Sequence, residues 1–95
     1  MRFEWDSSKA AKNVRKHRVS FREAVSVFYD PLATTGDDPD HSEEEERFVT
    51  FGFSSAGRLI VVCHVDRNDV IRIISARRAT PTEREIYEEG EIPKR

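Results

Sequence analysis

The feature that most restricts the fold of this chain is a group of three strand-like segments in its second half. Residues 48–53, 59–65 and 70–76 are rich in β-branched and apolar side chains, and short polar connectors separate them. Connectors this short join antiparallel strands, because a parallel crossover needs a dozen or more residues. Residues 59–65 are apolar on both faces, which predicts that this segment is the central strand of an antiparallel meander.

Two helices are predicted ahead of the meander. Alternating polar and apolar residues over 2–5 predict a short first strand, and the capping residues that follow open a helix over about 8–17. Ser20 and Glu23 fit the capping-box pattern, which predicts that a second helix begins here. That helix should stop at Asp30, because the residue before Pro31 avoids the helical region.

An acidic segment and a third helix complete the chain. A short strand is expected from Leu32, followed by a loop over residues 37–46 that holds seven acidic residues and one histidine. A second capping box over residues 80–83, with proline at the first helical position, predicts a helix that ends near Gly90. The prediction is a single α+β domain over residues 1–95.

Composition excludes several classes of protein. Apolar residues make up 37% of the chain and charged residues 36%, which is typical of a globular domain rather than of a disordered one. No apolar run approaches the roughly 20 residues that span a membrane, and the N-terminus lacks the order of a signal peptide, so we expect a cytoplasmic protein. Cys63 and His64 lie in the central strand, where both are expected to be packed side chains.

The net charge of −2 conceals two basic regions. Residues 1–36 hold seven basic and four acidic side chains, and residues 47–80 hold six and two. The excess of acid comes mainly from residues 37–46, which we interpret as a solvated loop, a site for a basic partner or a regulatory shield. A nucleic-acid partner therefore remains compatible with the charge pattern.

The acidic loop does not have the spacing of a metal site. Its potential ligands are Asp37, Asp38, Asp40, His41 and Glu43. A calcium loop would need a glycine and a terminal glutamate at fixed offsets, and no zinc pattern is present. We therefore expect neither a bound metal nor a cofactor.

Six short segments of the chain occur in the same order as in one known family. They are Phe3-Glu4-Trp5-Asp6 with Lys9 and Asn13, Lys16 to Phe21 with Glu23-Ala24, Phe28-Tyr29-Asp30-Pro31, Asp40-His41, Glu46-Arg47, and Arg72 to Ala79 with Glu83-Arg84 and Tyr87. In this combination the chain resembles the BrnT-type toxins over about ninety residues. Arg18 departs from the pattern, which has glycine there, so we expect a positive φ and slight strain at that turn.

The resemblance implies both a fold and a function. It implies a RelE/ParE-like toxin fold and a metal-independent endoribonuclease that inhibits translation. It also implies a BrnA-type antitoxin that binds the toxin in a 2:2 heterotetramer. Operator DNA would be contacted only by the antitoxin. The alternative on the same fold is a non-catalytic ParE-like toxin or binding module that inhibits a protein target such as gyrase.

Cleavage of RNA without a metal needs general acid–base groups and a fixed cation beside the phosphorane. Arg72 and Arg77 are the candidate cations, because a guanidinium donates parallel hydrogen bonds and stays charged. Strict alternation along the last strand predicts that they point to opposite faces. His17 is the acid–base candidate because histidine titrates near neutrality, although a histidine at a helix C-terminus also interacts favourably with the helix dipole.

The remaining candidates lie on the helices and at the end of the last strand. Glu83 and Tyr87, four residues apart, are candidates for a base and a base-stacking platform, although Glu83 is also explained as a capping residue. RNA-backbone contacts are expected from Lys9, Lys12, Lys16 and Arg78, with a solvated basic face as the alternative. The third helix is poor in apolar residues, so we expect the antitoxin to bind there and at the neighbouring sheet edge.

Overall fold

The structure is a computed structural model that describes residues 1–38 and 46–89. The five strands are β1 (Arg2–Glu4), β2 (Thr34–Asp37), β3 (Phe48–Phe53), β4 (Leu59–Arg67) and β5 (Val70–Arg78). The three helices are α1 (Ser7–His17), α2 (Phe21–Val27) and α3 (Pro81–Glu89). The predicted α+β class and order of elements are confirmed. Of the acidic loop, Asp40, His41 and Glu43 lie outside the described residues.

The strands form one sheet in the order β1-β5-β4-β3-β2. The pairs β2–β3, β3–β4 and β4–β5 are antiparallel, as the short connectors predict. Strand β1 instead pairs in parallel with β5, so that Phe3 lies opposite Ile71. This pairing joins the first strand of the chain to the last one and was not predicted from the local pattern.

Helices α1 and α2 cover one face of the sheet, which we call the helical face. The core on this face combines two sets of buried side chains. The first set comes from α2 and the residue before its cap, and the second from β4 and β5: Val19, Phe21, Ala24 and Val27; Ile60, Val62, Ile73 and Ala76. Full burial of an aliphatic or aromatic side chain stabilises a fold by about 1.5–3 kcal/mol, so this layer supplies most of the driving force for folding.

A β-bulge in β5 changes the direction of the side chains beyond it. Cys63 pairs with Ser75 and His64 pairs with Ile73, so Ile74 has no partner in β4. Ile73 and Ala76 consequently both point into the core, although they are three residues apart. Arg72 and Arg77 each neighbour one of these core residues, so both point to the opposite face, which we call the distal face. The prediction that the two arginines point to opposite faces is therefore wrong, because it assumed an unbroken alternation.

The ends of the first two helices follow from local hydrogen bonding. Asp6 caps α1, because its Oδ1 accepts from the N–H groups of Ser8 at 2.8 Å and Lys9 at 3.1 Å. The helix ends at His17, and its C-cap Arg18 has a φ of 60°, which confirms the expected positive φ. Helix α2 is shorter than predicted, because from Phe28 to Asp30 the N–H groups bond carbonyls three residues back.

The buried side-chain amide of Asn13 connects α1 to the sheet through hydrogen bonds. The Nδ2 group of Asn13 donates to the carbonyl oxygens of Val19 at 2.9 Å and Ala76 at 2.7 Å, and its Oδ1 accepts from the Ala76 N–H at 3.2 Å. All three polar groups would otherwise be buried without a partner at a cost of about 1–3 kcal/mol each. Asn13 thereby sets the position of α1 on the helical face.

His64 is a packed core residue, as predicted, with 1% of its surface exposed. Its Nε2 lies 2.7 Å from the Thr50 hydroxyl and its Nδ1 lies 2.7 Å from Asp66 Oδ1. Burial lowers the pKa of His64 and outweighs the opposing effect of Asp66. Cys63 is partly buried, which raises the pKa of its thiol. None of the described helices is long and apolar enough to cross a membrane.

Candidate active site

A bidentate ion pair joins the end of β5 to the first turn of α3. The Arg77 guanidinium donates from NH1 to Glu83 Oε1 at 2.8 Å and from NH2 to Glu83 Oε2 at 2.9 Å. The same carboxylate accepts from the Thr80 N–H at 2.9 Å, while the Thr80 hydroxyl accepts from the Glu83 N–H at 3.1 Å. The predicted capping box is therefore present, and it orients the carboxylate that holds Arg77.

The ion pair determines the protonation of both groups. The hydrogen bonds from Arg77 lower the pKa of Glu83 to about 2, against the opposing effect of burial. Those hydrogen bonds likewise raise the pKa of Arg77. A carboxylate with so low a pKa is ionised at neutral pH and binds a proton too weakly for an efficient general base. Glu83 is therefore suited to positioning Arg77 rather than to transferring protons.

Arg72 lies on the same distal face as Arg77. Its NH1 donates to Glu4 Oε2 at 3.0 Å, and the two residues are directly opposite each other in the β1–β5 pair. Both side chains are partly exposed, so this ion pair restrains Arg72 without removing it from solvent. The distal face thus presents two arginines, each oriented by a carboxylate.

A third arginine, Arg47, lies near the same face. Burial raises the pKa of the Cys63 thiol, and the charges of Asp38, Arg77 and Arg47 also act on that thiol. Cys63 Sγ lies 3.9 Å from Asp38 Oδ2, and the Asp38 N–H donates to the Arg47 carbonyl at 2.9 Å. Arg47 was not a candidate site residue in the sequence analysis. The feature that could have identified it is the Glu46-Arg47 pair just before β3, which is one of the segments by which the chain resembles the BrnT-type toxins.

Tyr87 anchors α3 to the turn between α2 and β2. Its hydroxyl donates to Asp30 Oδ2 at 3.1 Å and lies 3.3 Å from the Leu32 carbonyl. Its ring packs edge-on against Phe53, with 5.8 Å between the centroids. Burial and the neighbouring Asp30 raise the pKa of Tyr87. Because the hydroxyl donates to Asp30 and the ring packs against Phe53, both parts of the side chain make structural contacts.

Asp30 is the centre of this anchor, although the sequence analysis named it only as a helix stop and as part of a family segment, and not as a site residue. Its Oδ2 accepts from the Phe53 N–H at 2.7 Å as well as from Tyr87, and its Oδ1 accepts from the Leu32 N–H at 2.9 Å. Burial alone would raise the pKa of Asp30, but these hydrogen bonds outweigh it and lower the pKa. The Asp30-Pro31 pair after α2 is the sequence feature that could have indicated this role.

His17 does not lie with the arginines. It ends α1, which packs on the helical face, whereas Arg72 and Arg77 point to the distal face. The exposed lysines Lys9, Lys12 and Lys16 are also on α1. Arg78 follows Arg77 and points to the helical side, where its charge acts on Glu23. The structure therefore separates the predicted site residues into two groups, one on each side of the sheet.

Comparisons with known proteins agree with this architecture. A family described as "Ribonuclease toxin, BrnT, of type II toxin-antitoxin system" matches residues 5–83, a range that includes Arg72, Arg77 and Glu83. Among solved structures, the chain is similar to the ribonuclease toxin BrnT of Brucella abortus, with 20% identity and a TM-score of 0.62 over 84% of this chain and 97% of that chain. That likeness concerns the fold alone, and no curated protein matches the sequence. With the family matched over most of its length, the chain belongs to the BrnT ribonuclease toxins of type II toxin–antitoxin systems.

Proposed function

We propose that this protein is an endoribonuclease that cleaves RNA without a metal ion and thereby inhibits translation in the cytoplasm. Family membership supports the ribonuclease activity. The observation that supports the site is that Arg72 and Arg77 both lie on the distal face of the sheet, with Arg77 held by a bidentate ion pair to Glu83.

In the proposed reaction, the 2′-hydroxyl of the RNA loses its proton and attacks the adjacent phosphorus, the bond from phosphorus to the 5′-oxygen of the next nucleotide breaks, and that oxygen takes up a proton as it leaves. The products are a 2′,3′-cyclic phosphate and a 5′-hydroxyl. Arg77 stabilises the charge that develops on the phosphorane oxygens, because Glu83 and, at 3.4 Å, the Arg78 carbonyl accept from three of its five N–H donors and leave others for phosphate. Arg72 supplies a second cation for the phosphate backbone on the same face.

We assign the residues outside the distal face to binding. Lys9, Lys12 and Lys16 are exposed along α1, and Arg78 lies on the same side of the sheet, so in this proposal they contact RNA that flanks the cleaved bond. A BrnA-type antitoxin neutralises the toxin in a 2:2 heterotetramer, and operator DNA is contacted only through that antitoxin. Membership in a toxin–antitoxin family supports an antitoxin partner.

The separation of His17 from the arginines favours a second candidate function. In a non-catalytic toxin that inhibits a protein target such as gyrase, the arginines would contact that target and no acid–base histidine would be needed beside them. The two candidates differ in one observable, which is the fate of RNA incubated with the purified protein.

The test is incubation of purified protein with a 5′-labelled RNA in EDTA. We expect fragments that end in 2′,3′-cyclic phosphate, and we expect Arg77→Ala to lower the cleavage rate about 10²- to 10³-fold, as loss of a transition-state donor does. Arg22→Ala, which removes an exposed arginine on α2, is the control and should cleave at the wild-type rate. His17→Ala shows whether the histidine participates from the helical side.

Two outcomes would contradict the proposal. Cleavage that requires added Mg²⁺ would refute the metal-independent mechanism. Intact RNA at excess of correctly folded protein would refute the ribonuclease, and inhibition of gyrase supercoiling by the same preparation would then support the second candidate.

A further inference from the structure

Side chains on the distal face are arranged in rows that run across the strands. Residues directly opposite each other in neighbouring strands point to the same face, so the strand pairing defines each row. Listed from β3 to β5, the first row is Phe51, Val61 and Arg77, and the next is Val49, Cys63 and Ser75. Arg72 and its partner Val65 in β4 belong to a third row. The side chains of the middle row are short, so Arg77 and Arg72 face a common surface between them.

This common surface is bordered mainly by positive charge. Arg77 and Arg72 each retain N–H donors that their carboxylate partners do not occupy. Burial raises the pKa of the Cys63 thiol in the middle row, and the charges of Asp38, Arg77 and Arg47 act on the same thiol. Because most of these charges are positive, the surface favours a ligand that carries negative charge.

Phe51 places an aromatic ring beside the common surface, in the same row as Arg77. Its ring contacts no other aromatic ring in the described part of the chain. The next aromatic residue on this face, Phe53, is covered by the Tyr87 ring, with 5.8 Å between the centroids, and by the Arg84 guanidinium at 5.7 Å. Phe51 is only partly buried, so its ring remains available to a ligand.

An aromatic ring beside arginines fits a nucleotide with an unpaired base. Such a base stacks on an aromatic side chain, while its phosphate accepts hydrogen bonds from a guanidinium. Neighbouring strands are about 4.8 Å apart, so the Cα atoms of Phe51 and Arg77 are about 10 Å apart. One nucleotide can bridge this separation, because its sugar holds the base away from the phosphate.

Other occupants match the surface less well. Bases in double-stranded RNA are stacked on each other within the helix and do not offer a free face to Phe51. A protein segment could place an apolar side chain on the ring, but it would need carboxylates spaced to match Arg77 and Arg72. Single-stranded RNA carries a negative charge at every nucleotide and satisfies both requirements.

We propose that Phe51 stacks on an unpaired base of the RNA whose phosphate Arg77 holds. The contact restricts the substrate to single-stranded RNA and positions the nucleotide on the distal face. It selects little among the four bases, since every base has a face that can stack. This inference rests on the proposed ribonuclease function and adds to it the class of RNA that the site accepts.

The test measures the affinity of the purified protein for a fully 2′-O-methylated single-stranded RNA. This RNA has no free 2′-hydroxyl and is therefore not cleaved, so fluorescence anisotropy in EDTA reports binding alone. Phe51→Leu should raise the Kd about 10-fold, within the range for loss of one stacked base, because leucine keeps an apolar contact but has no ring. Phe51→Tyr keeps the ring and should bind within about twofold of the wild-type protein.

A second RNA and a control variant separate stacking from a structural role. The same RNA annealed to its complement should bind Phe51→Leu and the wild-type protein equally, because paired bases cannot stack on the ring. Tyr29→Leu is the matched control, since Tyr29 is an aromatic residue in the turn after α2 that is 62% exposed and has no ring contact among the described residues. Its Kd for the single strand should stay within about twofold of the wild-type value. Circular dichroism establishes that each variant is folded.

The outcomes that would overturn the inference are distinguishable. Wild-type affinity of Phe51→Leu for the single strand would refute stacking, while cleavage of unmodified RNA would still support the ribonuclease. Equal losses for the single strand and the duplex would make Phe51 a structural residue. Weaker binding of the antitoxin by Phe51→Leu, with unchanged RNA affinity, would assign the ring to a protein partner. A wild-type protein that neither binds nor cleaves RNA would refute the proposed function and the stacking contact together.

Discussion

Glu83 is the residue on which several parts of the candidate site depend. One carboxylate caps α3, holds the guanidinium of Arg77 and remains ionised well below neutral pH. Sequence spacing identified the cap, because that pattern spans only four residues. The contact with Arg77 depends on how the strand enters the helix, which the spacing alone does not determine.

The ionised Glu83 should make stability depend on pH in the acid range. Its folded pKa of about 2 lies below its ordinary value of 4.5, so the ion pair stabilises the fold fully above pH 4.5 and is lost as pH falls towards 2. Glu83→Gln keeps the capping geometry and removes the charge. At neutral pH it should lower the unfolding free energy by about 1 kcal/mol, because the pair is partly exposed and screened.

Urea unfolding of both proteins between pH 7 and pH 2 measures this effect. The gap between wild type and Glu83→Gln should close as the pH falls through the range from 4.5 to 2. A gap that keeps the same size at every pH would mean that the ion pair contributes nothing to folding.

Arg18 occupies a backbone conformation that suits glycine. Its φ is 60° and its ψ is 34°, which costs a side chain with a Cβ about 1–2 kcal/mol. Glycine loses more freedom on folding, so Arg18→Gly should stabilise the protein by only about 0.5–1 kcal/mol. Arg18→Ala is the control, since it removes the same side chain and retains the Cβ. Equal unfolding free energies for the two variants would contradict the strain.

At the scale of elements, the sheet approaches α2 most closely at Gly52. A Cβ built there would lie 3.0 Å from Val27 Cγ1, 3.1 Å from the Ala33 Cβ and 3.2 Å from Asp30 Oδ2. Such distances leave no space for a methyl group without movement of the helix or the turn. A side chain at this position therefore requires Val27, Ala33 or Asp30 to shift by a few tenths of an ångström.

Gly52→Ala should accordingly destabilise the protein by about 1–3 kcal/mol, the usual cost of overpacking. The same substitution at Gly36 on the edge strand β2 is the control, because nothing lies within 4 Å of a Cβ there. Its unfolding free energy should change by less than about 0.5 kcal/mol. Similar losses in the two variants would show that the cost does not come from contact with α2, because an added Cβ restricts the unfolded chain and would by itself stabilise the fold.

Local elements were predictable and long-range ones were not. The caps at Asp6 and Ser20 were identified because each depends on neighbours within about four residues. The parallel β1–β5 pair and the contact between Tyr87 and Asp30 join residues far apart in sequence, and no local pattern specifies them. The bulge at Ile74 was missed because one unpaired residue leaves the apolar pattern of a strand unchanged.

At the scale of the whole molecule, positive charge is divided between the two sides of the sheet. Arg72 and Arg77 lie on the distal face, and the lysines of α1 lie on the other side. An RNA strand that reaches both groups must pass around the edge of the sheet. In the proposed mechanism, the division separates residues that act on the cleaved bond from residues that contact flanking phosphates.

This division predicts how salt affects RNA binding. Replacing the exposed residues Lys9, Lys12 and Lys16 together with alanine should reduce the slope of log K against log salt by about 2, because each single-strand phosphate contact contributes roughly 0.7. The cleavage rate at saturating RNA should change little. Filter binding at several salt concentrations, with Arg77→Ala as the comparison, measures the slope. An unchanged slope would identify the lysines as a solvated face.

The unpaired Ile74 also changes how arginine spacing is compared between relatives. In a regular strand, side chains share a face when an even number of positions separates them, yet here a separation of five achieves the same result. A homologue without the extra residue would need its arginines four positions apart to present the same pair. A gap of one residue in an alignment of β5 is therefore compatible with an unchanged site, whereas a substitution scan that assumes strict alternation would assign one arginine to the wrong side of the sheet.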